Sequence, residues 1–504
     1  MTQKIFPILF VAIAIITSIG IRWNFIGQPL SYHQEYISAH TLSTLKIWDE
    51  VGIKNCGYNL IFTFPGKGNK NINNLGGVVD TAGNYFYVSY PPLGFYLPWA
   101  TFKILHVEAS VISIEIFSLF NEAFCVLLLF FIILQLYPES KNKYWIAAFS
   151  SVFYIFTPST LWFHCNVYFV DMMSQTFFLL FINSFIFYLK KPNILRFLTA
   201  MLVMFLFSYT EWLSVFCLFT TGLILLSKFR ENKLHRYLIF GLGVSASLAI
   251  LLMLWQYSKI NGWHPLLSWL QEKYLNRSGL KNSASDPNAI ITKLQSWQRI
   301  PFATNYPFVI IQFAILSIWI WIIRKRKSIQ SKNQEMVTII LLATLPVILH
   351  LVIFFNLTVI HDFTLLKWGI PFTILFASLI KIILEKSFSP FVFGLLFTFI
   401  ISFSVLNGFI FYKSNDWHQH QSKLFTNGFI INQTSNPADL IIMVGDPEVI
   451  TAVMYYANRN ICFWPNYYGD VFVTELIKKQ HLKNAHIYFE NETGIIDGLK
   501  LCSQ

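Results

Sequence analysis

Charge is what this sequence has least of. Of 504 residues only 12% are Asp, Glu, Lys or Arg, against 55% hydrophobic and 18% aromatic. Soluble domains carry about 25% charged residues, so a soluble protein of this length is excluded and a polytopic membrane protein indicated. Acids are the scarcer sign, 25 Asp plus Glu against 37 Lys plus Arg, for a formal net charge of +12. No basic, aromatic groove lies outside the apolar runs, so a nucleic-acid partner is not expected. The six cysteines form no C-x-x-C pair, which argues against a zinc ribbon or a redox motif. Internal repeats are lacking too, which weakens an inverted-repeat transporter.

What is present is a series of apolar runs long enough for a bilayer. They fall near 5–22, 110–136, 144–163, 171–189, 194–209, 212–227, 237–256, 307–323, 336–355, 363–383 and 389–411. Lys4 and the interfacial Ile21-Arg22-Trp23 make the first a retained helix rather than a cleaved signal peptide. Basic clusters orient the rest: Lys141/Lys143, Lys190-Lys191, Lys228 to Arg236, Arg324 to Lys327 and Lys381/Lys386 belong on the cytoplasmic side. An even number of crossings must then separate Lys190 from Lys228, so two short helices meet at Thr210-Glu211-Trp212. About eleven transmembrane helices result, in a module over 1–412. Loops 23–109 and 257–306 and a tail from 413 fall on the extracytoplasmic side of a bacterial inner or plasma membrane.

The tail, 413–504, alternates short buried strands with helices and reads as a small α/β domain. Gly445-Asp446-Pro447 is too little for a nucleotide loop. Cys462 and Cys502 both lie there, and their spacing leaves a disulfide open.

Ionisable groups beside apolar runs are costly and are candidates for function. At the expected outer ends stand Glu35, Glu115, Glu122, His164, Asp171, Glu211, His361 and Asp362. Glu35, flanked by His33, Tyr36 and His40, can serve as a general base or simply cap the helix expected over 36–50. The two histidines leave a divalent metal ion open, although their spacing matches no helical ligand pair. Tyr90-Pro91-Pro92-Leu93-Gly94-Phe95-Tyr96 is either a sugar-stacking turn or the start of an interfacial helix. Asp171 suits the first turn of its helix. Lys367, about one turn into the membrane, suits a phosphate counter-ion or a snorkelling surface lysine.

This combination resembles the GT-C glycosyltransferases, such as the protein O-mannosyltransferases and the aminoarabinose transferase of lipid A. The shared features are a first helix, a long outer loop with an early acid, a Tyr-x-x-x-Pro-Pro-Leu-type turn and an Asp opening a later helix. A terminal outer α/β unit completes the set. The resemblance implies transfer of a sugar from a polyprenyl-phosphate donor to a lipid, glycan or protein acceptor, with inversion. Glu35 would be the base and Asp171 the second catalytic acid. The turn at Tyr90, Pro91 and Pro92 would shape the donor site, and His361-Asp362 is similar to a family motif. Beside these, the residues themselves offer His33, His40, His164, Glu211 and Lys367 as substrate-binding candidates. Two positions depart from the family: Gln34-Glu35 stands for its Asp-Glu pair, and Ser89-Tyr90 stands where a lysine is common. A phosphate-binding cation must then come from Lys103, Lys367 or Arg299. A secondary transporter is the alternative, and it requires ionisable groups at mid-membrane.

Overall fold

The computed structural model describes residues 2–30, 34–65, 70, 77–227, 234–280, 332–386, 389–418, 423–444, 450–464, 466–479, 484–490 and 495–503. Among these, seven helices are long and apolar enough to cross a membrane. They are α1 (Thr2–Arg22, continued by a 3-10 turn to Phe25), α4 (Val111–Leu136), α7 (Val170–Lys190), α10 (Leu234–Asn261), α12 (Lys332–Ile353), α14 (Gly369–Lys386) and α15 (Pro390–His418). The expected span at 307–323 lies outside the described residues.

The run at 144–163 is not one straight helix. It is a pair, α5 (Lys143–Ile155) and α6 (Pro158–Asn166), bent by 59°. Pro158 has no N–H to continue α5, and Thr157 Oγ1 accepts from the Thr160 N–H at 3.4 Å to start α6. The two short helices are α8 (Ile194–Ser208) and α9 (Leu213–Ser227), and they turn at Tyr209 to Trp212. Glu211 caps α9, its Oε2 accepting from the Leu213 N–H at 2.7 Å.

The stretch after α1 carries α2 (Tyr36–Val51), a two-residue hairpin of β1 (Val78–Val79) and β2 (Tyr85–Phe86), and α3 (Leu93–Leu105). Pro92 is the N-cap of α3, so the Pro-Pro turn does begin a helix. The described part of the stretch expected as a second loop is helical. Gly262, at φ +84°, turns the chain from α10 into α11 (Trp263–Ser278), a backbone conformation that suits glycine. After α12 come a short α13 (Phe355–Ile360) and a 3-10 turn (Asp362–Trp368) that leads into α14.

Beyond α15 lie α16 (Lys423–Thr434), β3 (Leu440–Val444), α17 (Ile450–Ala457), β4 (Cys462–Trp464), α18 (Asp470–Lys479), β5 (Asn484–Glu490) and β6 (Ile496–Ser503). The sheet order is β4-β3-β5-β6, parallel except for the β5–β6 pair. Period-2 alternation divides β3 between two cores. Leu440 and Ile442 pack with Val473 and Ile477 of α18, while Ile441 and Met443 join the main core with Val453 of α17. Cys462 and Cys502 are free. They sit on opposite edge strands with two strands between, roughly 14 Å at about 4.8 Å per strand, too far for a disulfide. Helix α17 and its flanks cover the segment after α1. Leu30 N–H donates to Tyr456 Oη (2.6 Å), Thr451 Oγ1 donates to Tyr36 O (3.1 Å), and Asn460 bonds the Phe64 backbone twice (2.8 and 3.0 Å).

Candidate active site

A cavity of about 330 Å³ opens where α2, α11, α13 and the start of α7 meet, roofed by Thr451 of α17. Its wall is aromatic, from Phe62, Tyr87, Tyr90, Phe169 and Phe363, with polar groups from Tyr36, His40, Lys273, Asn276, Arg277, Asn356 and His361. Lysine and arginine stand one turn apart on α11, so both reach the same side. Arg277 lies over the Tyr90 ring at 4.6 Å, and its Nη1 reaches Ser89 O at 3.5 Å. Among the described residues lining the cavity there is no aspartate or glutamate.

Among the described residues, three buried polar atoms of this wall have no hydrogen-bond partner: His40 Nε2, Tyr90 Oη and Arg277 Nε. Buried polar groups are nearly always satisfied, and an unmade bond costs about 1–3 kcal/mol. Their grouping on one cavity marks a place for a polar ligand. Burial holds the His40 imidazole well below its usual titration range, so it is neutral, and pushes the Tyr90 phenol up, so it keeps its proton. Burial, and then the charges of Arg277 and Lys273, bring His361 down to about 3. Burial and Arg277 bring Lys273 down to about 8. The His40 ring is fixed by stacking on Phe62 at 3.8 Å and by the edge of Tyr87 at 4.7 Å. His361 stacks on Phe363, and its Nδ1 lies 3.2 Å from Tyr36 Oη and 3.3 Å from Gln34 Oε1.

A second group, wholly buried, lies where α7, α12 and the α8–α9 turn meet the 3-10 turn. Lys367 Nζ is 2.6 Å from Asp171 Oδ1, 3.2 Å from Glu211 Oε1 and 3.2 Å from His350 Nε2. His350 Nε2 in turn lies 3.3 Å from Glu211 Oε1. Lys367 is 1% exposed and does not line the cavity; its charge is taken up by two carboxylates. Such a network holds its elements in place, because removing one partner strands a buried charge. Residues expected at one end of the bundle are therefore brought within contact distance, although 196 positions separate Asp171 from Lys367 in the sequence.

The remaining expected residues fall elsewhere. Glu35 precedes α2 and is 8% exposed; it makes no side-chain cap to α2 and is not part of the cavity wall. It lies near Glu115, which accepts from the Gly27 N–H at 2.6 Å, and near Tyr456. Glu122 pairs with the buried Arg22 at 2.7 Å. His164 Nε2 contacts Gln175 Nε2 at 3.0 Å, away from the cavity, and Pro91 and Pro92 shape the turn without lining it. His33 and the Asp362 side chain lie outside the described residues. Among the described residues no group of three or more His, Cys, Asp or Glu is placed to hold a metal ion. Lys273, Arg277 and His350 were not singled out in the sequence.

No family model and no curated relative matches the sequence. Solved structures do match. ArnT from Cupriavidus metallidurans bound to undecaprenyl phosphate aligns over 96% of this chain and 93% of its own, at 12% identity and a TM-score of 0.52. The archaeal oligosaccharyltransferase AglB from Archaeoglobus fulgidus, in complex with an inhibitory peptide and a dolichol-phosphate, aligns over 96% and 70%, at 10% identity and a TM-score of 0.59. Both are GT-C superfamily membrane glycosyltransferases, and at these identities the likeness is one of fold. The chain has the GT-C fold: a multi-pass helical membrane protein with a small sheet domain near its C-terminus.

Proposed function

We propose that this GT-C-fold protein is a membrane glycosyltransferase that takes a sugar from a polyprenyl-phosphate donor and passes it to an acceptor at the extracytoplasmic face. The observation that carries the reading is the cavity in which Arg277 and Lys273 stand beside Tyr90 Oη and His40 Nε2, which have no hydrogen-bond partner among the described residues. A guanidinium with a free Nε suits a phosphate oxygen, and Lys273 adds a second positive charge. A donor phosphodiester seated there would direct its anomeric carbon toward the aromatic wall. The acceptor oxygen or nitrogen attacks that carbon in one displacement with inversion. The carbon–oxygen bond to phosphate breaks, and the polyprenyl phosphate leaves with the electron pair.

The acceptor proton goes to Glu35 in this reading. Its support is position: the next residue, Tyr36, lines the cavity, and Gln34 and Tyr36 both contact His361. A nearly buried carboxylate suits a general base. The Asp171–Lys367–Glu211–His350 network acts as a floor that positions α7 and the 3-10 turn, rather than as a phosphate counter-ion.

The test is transfer from a labelled polyprenyl-phosphate sugar in membranes. Glu35→Gln is expected to lower transfer by about 10²–10⁴-fold with normal expression and unchanged donor binding. Arg277→Gln is expected to lose donor binding itself. Full transfer by Glu35→Gln would remove Glu35 as the base; unchanged donor binding by Arg277→Gln would remove the cavity as the donor site.

A further inference from the structure

We infer that the sugar transferred by this site bears no ammonium group and is read through its hydroxyls by His40 Nε2 and Tyr90 Oη. The inference rests on the donor-site reading above and adds to it the class of sugar.

The two atoms are buried, on the same cavity wall and without a hydrogen-bond partner among the described residues. Their chemistry is specific. A protonated phenol both donates and accepts, and a neutral imidazole nitrogen does one or the other according to tautomer. A sugar hydroxyl, itself donor and acceptor, satisfies either. An ammonium can only donate, so it meets at most the accepting capacity of the pair. Charge decides further against it. Arg277 and Lys273 share the cavity, and the described residues of the wall offer no carboxylate to offset a third cation. The aromatic faces of the wall would attract an ammonium, but Tyr90 already carries the Arg277 guanidinium over its ring. His40 is held between Phe62 and Tyr87, so its Nε2 is aimed before the ligand arrives.

The experiment measures binding to the full-length chain in lipid nanodiscs. The probes are short-chain polyprenyl phosphate, its glucosyl, galactosyl and mannosyl diesters, and the matching 2-amino-2-deoxy diesters. In each pair the neutral sugar is expected to bind tighter, by about tenfold or more, because the site pairs hydroxyls and rejects what leaves its polar groups unpaired. Tyr90→Phe keeps the ring beneath Arg277 and removes only the hydroxyl; His40→Phe keeps a flat ring and removes the nitrogens. Each is expected to reduce binding of the preferred neutral diester by about tenfold and to leave bare polyprenyl phosphate within about twofold. Amino sugars that bind as tightly as their neutral partners would overturn the inference. So would a Tyr90→Phe variant that binds the preferred neutral diester like the wild type. Failure of bare polyprenyl phosphate to bind any form would instead overturn the donor-site reading beneath it. Tyr90→Phe, the milder change, keeps the result readable if His40→Phe does not fold.

Discussion

Lys273 sets the pH range over which the cavity is doubly positive. Burial and the neighbouring Arg277 lower it to about 8, so it is charged below that value and neutral above. A phosphodiester stays a monoanion throughout, so only the protein titrates. Donor binding is therefore expected to weaken as pH rises through about 8. Because Lys273 is partly exposed, its charge contributes only about 0.5–1 kcal/mol, or roughly two- to fivefold in affinity. Lys273→Arg keeps its charge across the range and should give a flat profile between pH 7 and 9.5. If wild type and Lys273→Arg weaken in parallel, or neither does, Lys273 does not hold the phosphate. At this scale the sequence was half legible. His40, Tyr90 and His361 stood out as polar or aromatic residues beside apolar runs, and all three line the cavity. Lys273 and Arg277 did not, since 257–306 was read as loop and a pair one turn apart has meaning only on a helix. The ion pair of Asp171 with Lys367 was out of reach because no local pattern links residues so far apart.

Between elements, α3 comes close to the start of α7. A Cβ added to Gly94 would lie 2.7 Å from Val170 Cγ1 and 3.2 Å from Val170 Cα, and Tyr168 Oη donates to Gly94 O at 2.6 Å. Gly94→Ala should push α3 away from the residue that precedes Asp171. The expected loss is about 1–3 kcal/mol of stability, measured as a lower Tm in detergent. Much of it should return in Gly94→Ala/Val170→Ala, where the clashing methyl is gone. A double variant no better than the single one would show that the strain lies elsewhere. Elements carried by an unbroken apolar run were readable in advance: α4, α7 and α15 start and end within a few residues of the expected runs, apart from the longer C-terminal end of α15. Those set by a single residue were not. Pro158 breaks a run that is apolar on both sides, and Gly262 turns α10 into a helix too polar to look like one. Strand β6 has no such run: Gly498 and Lys500 interrupt its apolar pattern, while its pairing with β5 supplies the order that propensity does not.

For the molecule as a whole, the sheet domain and the stretch after α1 are on one side of the bundle, since Asn460, Thr451 and Tyr456 bond directly to Phe64, Tyr36 and Leu30. The cavity is on that side too, because Thr451 lines it. One thiol can therefore report the side on which the cavity opens. Cys502 on the edge strand β6 is partly exposed, whereas Cys56, Cys125, Cys165, Cys217 and Cys462 are buried. The basic clusters between spans argue that this side is extracytoplasmic. A membrane-impermeant maleimide added to intact cells, or to spheroplasts where an outer membrane intervenes, should then label the protein. The label should vanish in Cys502→Ser and should not increase when the membrane is opened. Labelling that appears only after permeabilisation would put the sheet domain and the cavity in the cytoplasm. It would reverse the orientation drawn from the lysines and arginines and require the sugar donor to be presented from inside.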